Sequence, residues 1–337
     1  MKKLNLFLLI VMAFSLFIMG CKDDAVTPPP PPPPVNEFQV LAEYLEGAGG
    51  DYLNVAAPVL IDAIDVYNGL DSIGMSQTVV DLRTAGDFTA KRMKWAKNTT
   101  LANLRKYVDS LNVLTAKPAK IVLVCYSGQT SQYGASLMRL LGHTNVTSMK
   151  YGMSAWDSSL AHNYWWTKRS NARAGQFVTD SVAKAPIGAT PVLNTGKATG
   201  RDILIARVDT LLQRGFTEAT ISEATAFGNP SGYYIANYWT MADYTTLGHI
   251  PGAKQYTPKV DLKLATNLKT LPANQPVVIY CWTGQTSAAV ASVLRILGYD
   301  AKSLLYGSNS MIYDVLLGAA KTTFKRTDIK DLPTISG

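Results

Sequence analysis

The chain has 337 residues, of which 47% are hydrophobic, and its formal net charge is +8 at pH 7. At roughly 100–200 residues per domain, this length allows two domains. Lysines and arginines are interspersed with acidic residues instead of forming a basic cluster, which argues against a nucleic-acid-binding surface.

The first 20 residues are typical of an export signal. Lys2 and Lys3 precede an apolar run over residues 6–19, which is shorter than the roughly 20 residues of a membrane-spanning helix. The run ends in Ile-Met-Gly-Cys, which resembles the lipobox cleaved by lipoprotein signal peptidase. We therefore expect residues 1–20 to be removed and Cys21 to carry lipid. An ordinary secretory signal with a coincidental cysteine is the alternative.

Residues 21–40 are typical of an anchor and linker. A polar Lys-Asp-Asp stretch follows Cys21, and residues 28–34 are seven consecutive prolines. Polyproline forms a semi-rigid extended helix of about 3.1 Å per residue, which suits a spacer between a membrane and a folded domain. The sequence thus predicts a protein of the cell envelope, held at a membrane by its lipid on the periplasmic or outer-surface side.

A duplicated segment fills most of the remaining chain. Residues 121–131 and 277–287 are closely similar, and each string holds one cysteine, Cys125 or Cys281, at an offset of 156. The same offset aligns the flanking sequence over about sixty positions. Upstream, Leu60-Ile61 is matched to Leu204-Ile205, which predicts a twelve-residue insertion in the second copy. We place the domains at residues 45–165 and 195–325, joined by a connection over residues 166–194.

Each copy alternates strands with helices. Residues 79–80 open one short strand, and residues 121–124 form another, whose apolar β-branched run is typical of a strand buried on both faces. The helices that follow the cysteine loops carry apolar stripes and end at Gly142 and Gly298. This order of strand, tight loop and helix predicts an α/β protein with two doubly wound domains, each with a central parallel sheet flanked by helices.

The two cysteines occupy the place where parallel α/β sheets bind ligands, directly after a buried strand and before a helix. The loop's main-chain N–H groups and the positive end of the helix can stabilise a thiolate there. Gly128 and Gly284 allow the loop to curl around the sulfur. Equivalent positions in separate domains argue against a disulfide. The alternative role for each cysteine is that of a small buried hydrophobe.

The pattern Cys-x-x-Gly-x-Thr between a strand and a helix resembles the active-site loop of rhodaneses and mercaptopyruvate sulfurtransferases. Further similarity lies in the Asp-Leu-Arg string at residues 81–83, in residues 151–156, and in the Gly-His-Ile-Pro-Gly-Ala string at residues 248–253. The resemblance implies a sulfurtransferase without a cofactor. Cys125 and Cys281 would take sulfane sulfur from a small donor as persulfides and pass it to a thiol or cyanide.

The resemblance also assigns roles to neighbouring residues. Asp81, Arg83 and His249 are implied as supporting residues. The loop residues are implied to bind substrate, and the hydroxyls at the helix start can cap the helix or hydrogen-bond the sulfur. These loop residues are Tyr126, Ser127, Gly128, Gln129, Thr130 and Ser131 in the first copy, and Trp282, Thr283, Gly284, Gln285, Thr286 and Ser287 in the second.

Each copy departs from the family pattern. Residues 92–97 stand in the first copy where the second has the histidine-containing string, and Asn237 and Trp239 replace the acidic and basic pair in the second. Thiosulfate-using members carry an arginine where this chain has Asp87 or Asp243, and a lysine in the loop that is missing here. The sulfur donor therefore stays open among thiosulfate, a polysulfide and a persulfide.

Two other functions are known for proteins with a cysteine loop between a strand and a helix of this fold. A phosphatase or arsenate reductase of this fold needs an arginine six residues after the cysteine, where this chain has Ser131 and Ser287. A non-catalytic rhodanese-fold module that binds partners or senses redox state at the cell envelope is the open alternative, because fold does not imply activity. His143 and His162 lack companions at metal-ligand spacing, so no metal site is predicted.

Overall fold

A computed structural model describes residues 35–47, 50–57 and 59–337. The predicted export signal, the lipid-carrying Cys21 and the proline run lie outside the described residues, so the envelope location stays a prediction. Within the described part of the chain, no helix is both long and apolar enough to cross a bilayer. Two helices precede the first sheet: α1, Glu37–Glu46, and α2, Tyr52–Val55.

The first repeat forms a five-stranded parallel sheet, which we call lobe 1 together with its helices. Its strand order is β1-β5-β4-β2-β3. The strands are β1 Leu60–Ile61, β2 Thr78–Asp81, β3 Lys97–Asn98, β4 Ile121–Val124 and β5 Val146–Met149. The helices are α3 Ala63–Asn68, α4 Ala85–Ala90, α5 Leu104–Asn112, α6 Gln129–Leu140, α7 Met153–Trp156 and α8 Ser158–Tyr164.

The second repeat, lobe 2, has the same topology, with strand order β6-β10-β9-β7-β8. Its strands are β6 Thr220–Ile221, β7 Tyr234–Asn237, β8 Lys254–Gln255, β9 Val277–Tyr280 and β10 Ala301–Leu304. Its helices are α9 Gly200–Arg214, α10 Glu223–Gly228, α11 Met241–Thr246, α12 Gln285–Ile296 and α13 Tyr313–Gly318. Identical strand orders, with parallel pairing in both sheets, confirm the predicted α/β class and the duplication.

One detail of the predicted alignment is wrong. Leu204-Ile205 was matched to strand β1, but these residues lie inside helix α9, and β6 takes the place of β1 in lobe 2. The apolar residues there recur with helical spacing behind an N-cap at Thr199, whose side chain accepts a hydrogen bond from Asp202 N. The second copy therefore has no twelve-residue insertion at this point.

The strands that lead to the cysteines are the most deeply buried of each sheet. All four residues of β4 and all four of β9 are buried. A strand with neighbours on both sides and helices on both faces requires apolar residues throughout, which explains the unbroken runs Ile-Val-Leu-Val and Val-Val-Ile-Tyr. The rigid ends of these strands fix where the cysteine loops begin.

The two lobes share one hydrophobic core cluster, and each lobe has a further cluster of its own. Helices α6 and α12, which follow the two cysteine loops, pack against each other, and α1 packs against α9. Helix α1 precedes lobe 1 in sequence, yet the Phe38 ring lies 6.1 Å from that of Tyr299 in lobe 2. In return, residues after α13 run back to lobe 1, where Lys330 N donates to Ala155 O at 2.9 Å.

Candidate active site

In lobe 1, the Cys125 sulfur lies inside a curl of backbone between β4 and α6. Gly128 adopts a left-handed conformation with φ 85°, which turns the loop back on itself. Gly128 N and Ser131 N donate to the sulfur at 3.2 and 3.3 Å, and Ser131 Oγ lies 3.4 Å from it. Donors converging at the start of a helix stabilise a negative sulfur.

Lobe 2 repeats this arrangement around Cys281. Gly284 has φ 80°, Ser287 N donates to the sulfur at 3.3 Å, and Ser287 Oγ lies 3.6 Å from it. In both lobes the serine is held by a second buried serine on the neighbouring strand. The pairs are Ser131 with Ser148 at 2.8 Å and Ser287 with Ser303 at 2.7 Å. The serine contacts are therefore the same in both lobes, whereas a glycine N–H also donates to the sulfur in lobe 1.

A Tyr-Gly turn after the neighbouring strand, β5 or β10, binds the carbonyl groups of each cysteine loop. In lobe 1, Met153 N donates to Cys125 O at 2.8 Å, and Ser154 N donates to Tyr126 O at 3.1 Å. In lobe 2, the corresponding donors to Cys281 O and Trp282 O come from the turn that begins at Gly307. These bonds hold the loop carbonyl groups away from the sulfur and leave the N–H groups directed towards it.

Two glutamines cross between the lobes at the cysteine loops. Gln129 Oε1 accepts from Tyr306 N of lobe 2 at 2.9 Å, and Gln285 Oε1 accepts from Tyr151 N of lobe 1 at 3.0 Å. Each glutamine also donates to its own loop, to Ser127 Oγ at 3.0 Å or to Thr283 Oγ1 at 3.2 Å. We call this reciprocal arrangement the glutamine clasp. It ties each cysteine loop to the supporting turn of the other lobe.

Both sulfurs are nearly covered, since Cys125 and Cys281 are each 2% exposed and neither forms a disulfide. Among the loop residues, those with partial exposure are Tyr126 and Thr130 in lobe 1 and Trp282 and Thr286 in lobe 2. We call these partly exposed residues the entrance of each site, because among the loop residues they are the ones that solvent reaches.

The entrance of lobe 1 is aromatic and carries an acidic group. Tyr126 stacks on Tyr164 with ring centroids 4.3 Å apart, and its hydroxyl donates to Asp87. Hydrogen bonds from Thr84 and then Tyr126 lower the pKa of Asp87, so this carboxyl stays ionised near neutral pH. Burial and the bond to Asp87 raise the pKa of Tyr126.

Asp81 and Arg83, the implied supporting pair, form a buried ion pair beside this entrance. Arg83 Nη2 lies 2.7 Å from Asp81 Oδ2, and both side chains are almost completely buried. The guanidinium also donates to Lys91 O at 2.6 Å. Arg83 therefore holds the strand end and the following turn together, and its charge is already compensated by Asp81.

The entrance of lobe 2 has a different chemistry. Trp282 stacks on Trp239 with centroids 4.0 Å apart, and Lys321 Nζ lies 5.8 Å from the centre of the Trp282 ring and 2.6 Å from Asp243. Lys321 is a site residue that no sequence motif indicates. It follows α13, and nothing near it in the sequence links it to Cys281. Asn237 and Trp239, both buried, replace the ion pair of lobe 1.

The hydrogen bonds of His249 go to main-chain carbonyl groups and not to a cysteine. His249 is fully buried, its ring stacks on Tyr244, and its nitrogens lie 3.0 Å from Ile250 O and 2.7 Å from Asp180 O. This places His249 as a structural hydrogen-bonder. His143 does have a carboxylate neighbour, Asp109 at 2.9 Å, and burial lowers its pKa. No group of three potential metal ligands occurs among the described residues.

The sequence profile of the rhodanese-like domain matches residues 62–159 and 240–311. The chain belongs to the rhodanese-like domain family. The two matched ranges contain Cys125 and Cys281 respectively, so each cysteine loop belongs to its own rhodanese-like domain. No curated protein is significantly similar to the chain.

Several solved structures are similar to this rhodanese-like protein at low sequence identity. A probable thiosulfate sulfurtransferase is 17% identical over 76% of this chain and 99% of its own, with a TM-score of 0.28. The 3-mercaptopyruvate sulfotransferase SseA of Escherichia coli is 11% identical over 74% of this chain and 97% of its own, with a TM-score of 0.26. A thiosulfate sulfurtransferase of Pseudomonas aeruginosa is 15% identical over 87% of this chain and 72% of its own, with a TM-score of 0.26.

Proposed function

We propose that this protein is a sulfurtransferase with two reactive sites, in which Cys125 and Cys281 each carry a sulfane sulfur atom as a persulfide. The observation that carries the proposal is the main-chain donor that both sulfurs share, Ser131 N or Ser287 N at 3.3 Å, to which Gly128 N adds a second donor at Cys125. Main-chain N–H groups stabilise both the attacking thiolate and the anionic persulfide that it forms. A cysteine that served only as a small hydrophobe would not need such donors.

The proposed reaction has two steps. The cysteine thiolate attacks the sulfane sulfur of the donor, a new S–S bond forms, and the donor's old bond to that sulfur breaks. With thiosulfate the bond pair leaves on sulfite, and with an organic persulfide it leaves on the thiolate. In the second step, cyanide or a thiolate acceptor attacks the outer sulfur, and the bond pair returns to the cysteine. Sulfur moves between donor and acceptor, and the enzyme is regenerated.

The charges at the two entrances bear on the choice of donor. Asp87 and Asp243 stand where thiosulfate-using members carry an arginine, and Lys321 is the cation that lies over the Trp282 ring. Lys321 is itself paired with Asp243, which weakens its attraction for a dianion. We therefore include polysulfide and organic persulfides beside thiosulfate as donors.

A non-catalytic binding or redox-sensing module is the second candidate. Its support comes from the near-complete burial of both sulfurs and from lobe 2, where Asn237 and Trp239 replace the ion pair of lobe 1. In this alternative the cysteines react slowly or only with oxidants, and the rhodanese-like domains act as a scaffold.

Intact mass spectrometry separates the two candidates. The purified protein, Cys125→Ser, Cys281→Ser and the double variant are each incubated with thiosulfate, polysulfide or an organic persulfide. We expect each single variant to gain the mass of one sulfur atom and to lose it again on addition of cyanide, with thiocyanate released. The double variant is the matched control. Absence of any cyanide-labile sulfur at either cysteine would favour the scaffold.

A further inference from the structure

Tyr306 belongs to lobe 2 by sequence, but its side chain lies in lobe 1. It follows strand β10, and its ring packs edge-on against Trp165 with centroids 5.1 Å apart. Trp165 in turn donates from Nε1 to Ser127 O of the Cys125 loop at 3.2 Å. The Tyr306 ring thus contacts the indole that binds the Cys125 loop.

The backbone fixes this direction. Tyr306 N donates to Gln129 Oε1 of the Cys125 loop at 2.9 Å, and Tyr306 itself has φ 63°. A non-glycine residue in the left-handed region is strained, and such strain persists only where the surroundings hold it. Here the glutamine clasp holds the residue, so the ring is directed across the boundary between the lobes.

The hydroxyl of Tyr306 is available to a ligand. Tyr306 is partly exposed, and its hydroxyl makes no hydrogen bond to any described residue. Burial, followed by the nearby Cys125 sulfur and Tyr164, raises the pKa of Tyr306 to about 12. At neutral pH the group is therefore a neutral phenol that can donate a hydrogen bond to an anion.

The corresponding residue of lobe 1 has a different environment. Tyr151 has a similar φ of 60°, and its N–H binds Gln285 in the same way. However, its side chain is 1% exposed and its hydroxyl donates to Thr323 O at 3.3 Å. The Tyr151 hydroxyl already has a hydrogen-bond partner. The two tyrosines therefore share a backbone conformation and differ in whether the hydroxyl can bind a ligand.

We propose that Tyr306 is a residue of the Cys125 site, supplied by lobe 2, whose hydroxyl donates a hydrogen bond to the outer sulfur of the Cys125 persulfide. This inference rests on the proposed sulfurtransferase function and adds a specific donor to one of its two sites. No proton is transferred in this role, because the phenol stabilises the anionic outer sulfur by hydrogen bonding alone. The Cys281 site has no equivalent tyrosine, since Tyr151 is engaged elsewhere.

The test compares Tyr306→Phe with Tyr151→Phe in Cys281→Ser protein, where Cys125 is the reactive cysteine. Polysulfide is the donor and cyanide the acceptor, and transfer is followed from pH 5 to 10. Loss of a hydrogen bond to a charged group predicts a roughly tenfold fall in kcat/KM for Tyr306→Phe. The pH midpoint of transfer should also rise, because the anionic persulfide has lost a donor. Tyr151→Phe should leave this midpoint unchanged.

Two further arms complete the experiment. In Cys125→Ser protein, Tyr306→Phe should leave the reaction at Cys281 unchanged. Incorporation of 3-fluorotyrosine at position 306 keeps the ring size and gives a stronger donor, so it should lower the pH midpoint. An unshifted midpoint with both replacements would overturn the inference. If Cys125 takes up no sulfur even with Tyr306 in place, the proposed function fails at this cysteine, which is a distinct result.

Discussion

Two glycines outside the cysteine loops control the shape of those loops. Gly152 has φ 57° and ψ −152°, a combination that is essentially restricted to glycine. A Cβ at Gly152 would lie 2.3 Å from Cys125 O and 2.7 Å from Gly128 N. At Gly307 a Cβ would lie 2.3 Å from Cys281 O. Since the opposing atoms are backbone, a side chain at either glycine must push the whole loop outwards.

This geometry predicts variants that silence one site at a time. Gly152→Ala should lower sulfur uptake at Cys125 by at least about tenfold, because strain of roughly 1–3 kcal/mol and a backbone clash act on the same loop. Gly307→Ala should have this effect at Cys281. Uptake at each cysteine is measured by peptide mass spectrometry after exposure to polysulfide. Gly175→Ala is the control, since a Cβ there meets nothing within 4 Å. Equal losses at both cysteines would contradict the separate support of each loop.

At the residue scale, the sequence could predict what lies near each cysteine along the chain. Gly128 and Ser131 contact the sulfur because the loop geometry is local and both are within six residues of Cys125. Lys321 and Tyr306 could not be found in this way. They reach the sites through the packing of whole elements, and nothing in their flanking sequence records that approach.

At the element scale, the glutamine clasp joins the two helices that follow the cysteines. Gln129 and Gln285 are the first residues of α6 and α12, which pack against each other. Both side chains are 1% exposed, so the N–H groups that they bind are shielded from water. A buried N–H group that loses its acceptor costs more free energy than the average hydrogen bond contributes.

Removing one arm of the clasp should therefore destabilise the protein. Gln285→Met keeps the length of the side chain but leaves Tyr151 N without an acceptor, and we expect the free energy of unfolding to fall by about 1–3 kcal/mol. Gln129→Met should act similarly through Tyr306 N. Urea unfolding measures both, with Gln213→Met as control, because it removes a solvent-exposed hydrogen bond, to Ala102 O, in place of a buried one. If the double variant loses as much free energy of unfolding as the two single variants together, the arms are independent. A larger or smaller loss shows that they are coupled. No loss in either single variant would refute the structural role of the clasp.

The elements themselves differ in how far the sequence predicts them. Strands β4 and β9 are read directly from their unbroken apolar runs, and the helices after them from apolar spacing. Strand β1 has two residues, which is too short for a periodic pattern. Its assumed counterpart, Leu204-Ile205, belongs to the amphipathic helix α9, where the same pair of apolar residues serves a helical stripe.

At the scale of the whole molecule, both ends of the described chain cross to the other repeat. Helix α1 lies on lobe 2, and the residues after α13 return to lobe 1. Such crossings leave little signal in the sequence, because each crossing segment is short and its contacts are far away along the chain. The two rhodanese-like domains therefore depend on each other. The segment that precedes lobe 1 in sequence packs on lobe 2, and the segment that follows lobe 2 packs on lobe 1.

Phe324 shows how strong this dependence should be. It follows lobe 2 in sequence, yet it is fully buried among the aromatic rings of lobe 1, 5.0 Å from both Trp165 and Tyr151. Its main-chain N–H donates at 3.0 Å to Asn309 Oδ1, and Asn309 in turn donates to Trp282 O of the Cys281 loop. Phe324 thus connects the aromatic core of lobe 1 to the cysteine loop of lobe 2.

Phe324→Ala should consequently destabilise both lobes together. Loss of a buried phenylalanine costs about 3–5 kcal/mol, and the shared core should keep unfolding in a single transition at a lower temperature. Differential scanning calorimetry, with the half-exposed Ile335→Ala as control, measures this change. Two separate transitions, one at the original temperature, would mean that lobe 2 is stable without the segment that it sends to lobe 1. A single lowered transition, accompanied by faster labelling of both cysteines, is the outcome expected from the shared core cluster and the crossing segments, because opening of either lobe then exposes the loop of the other.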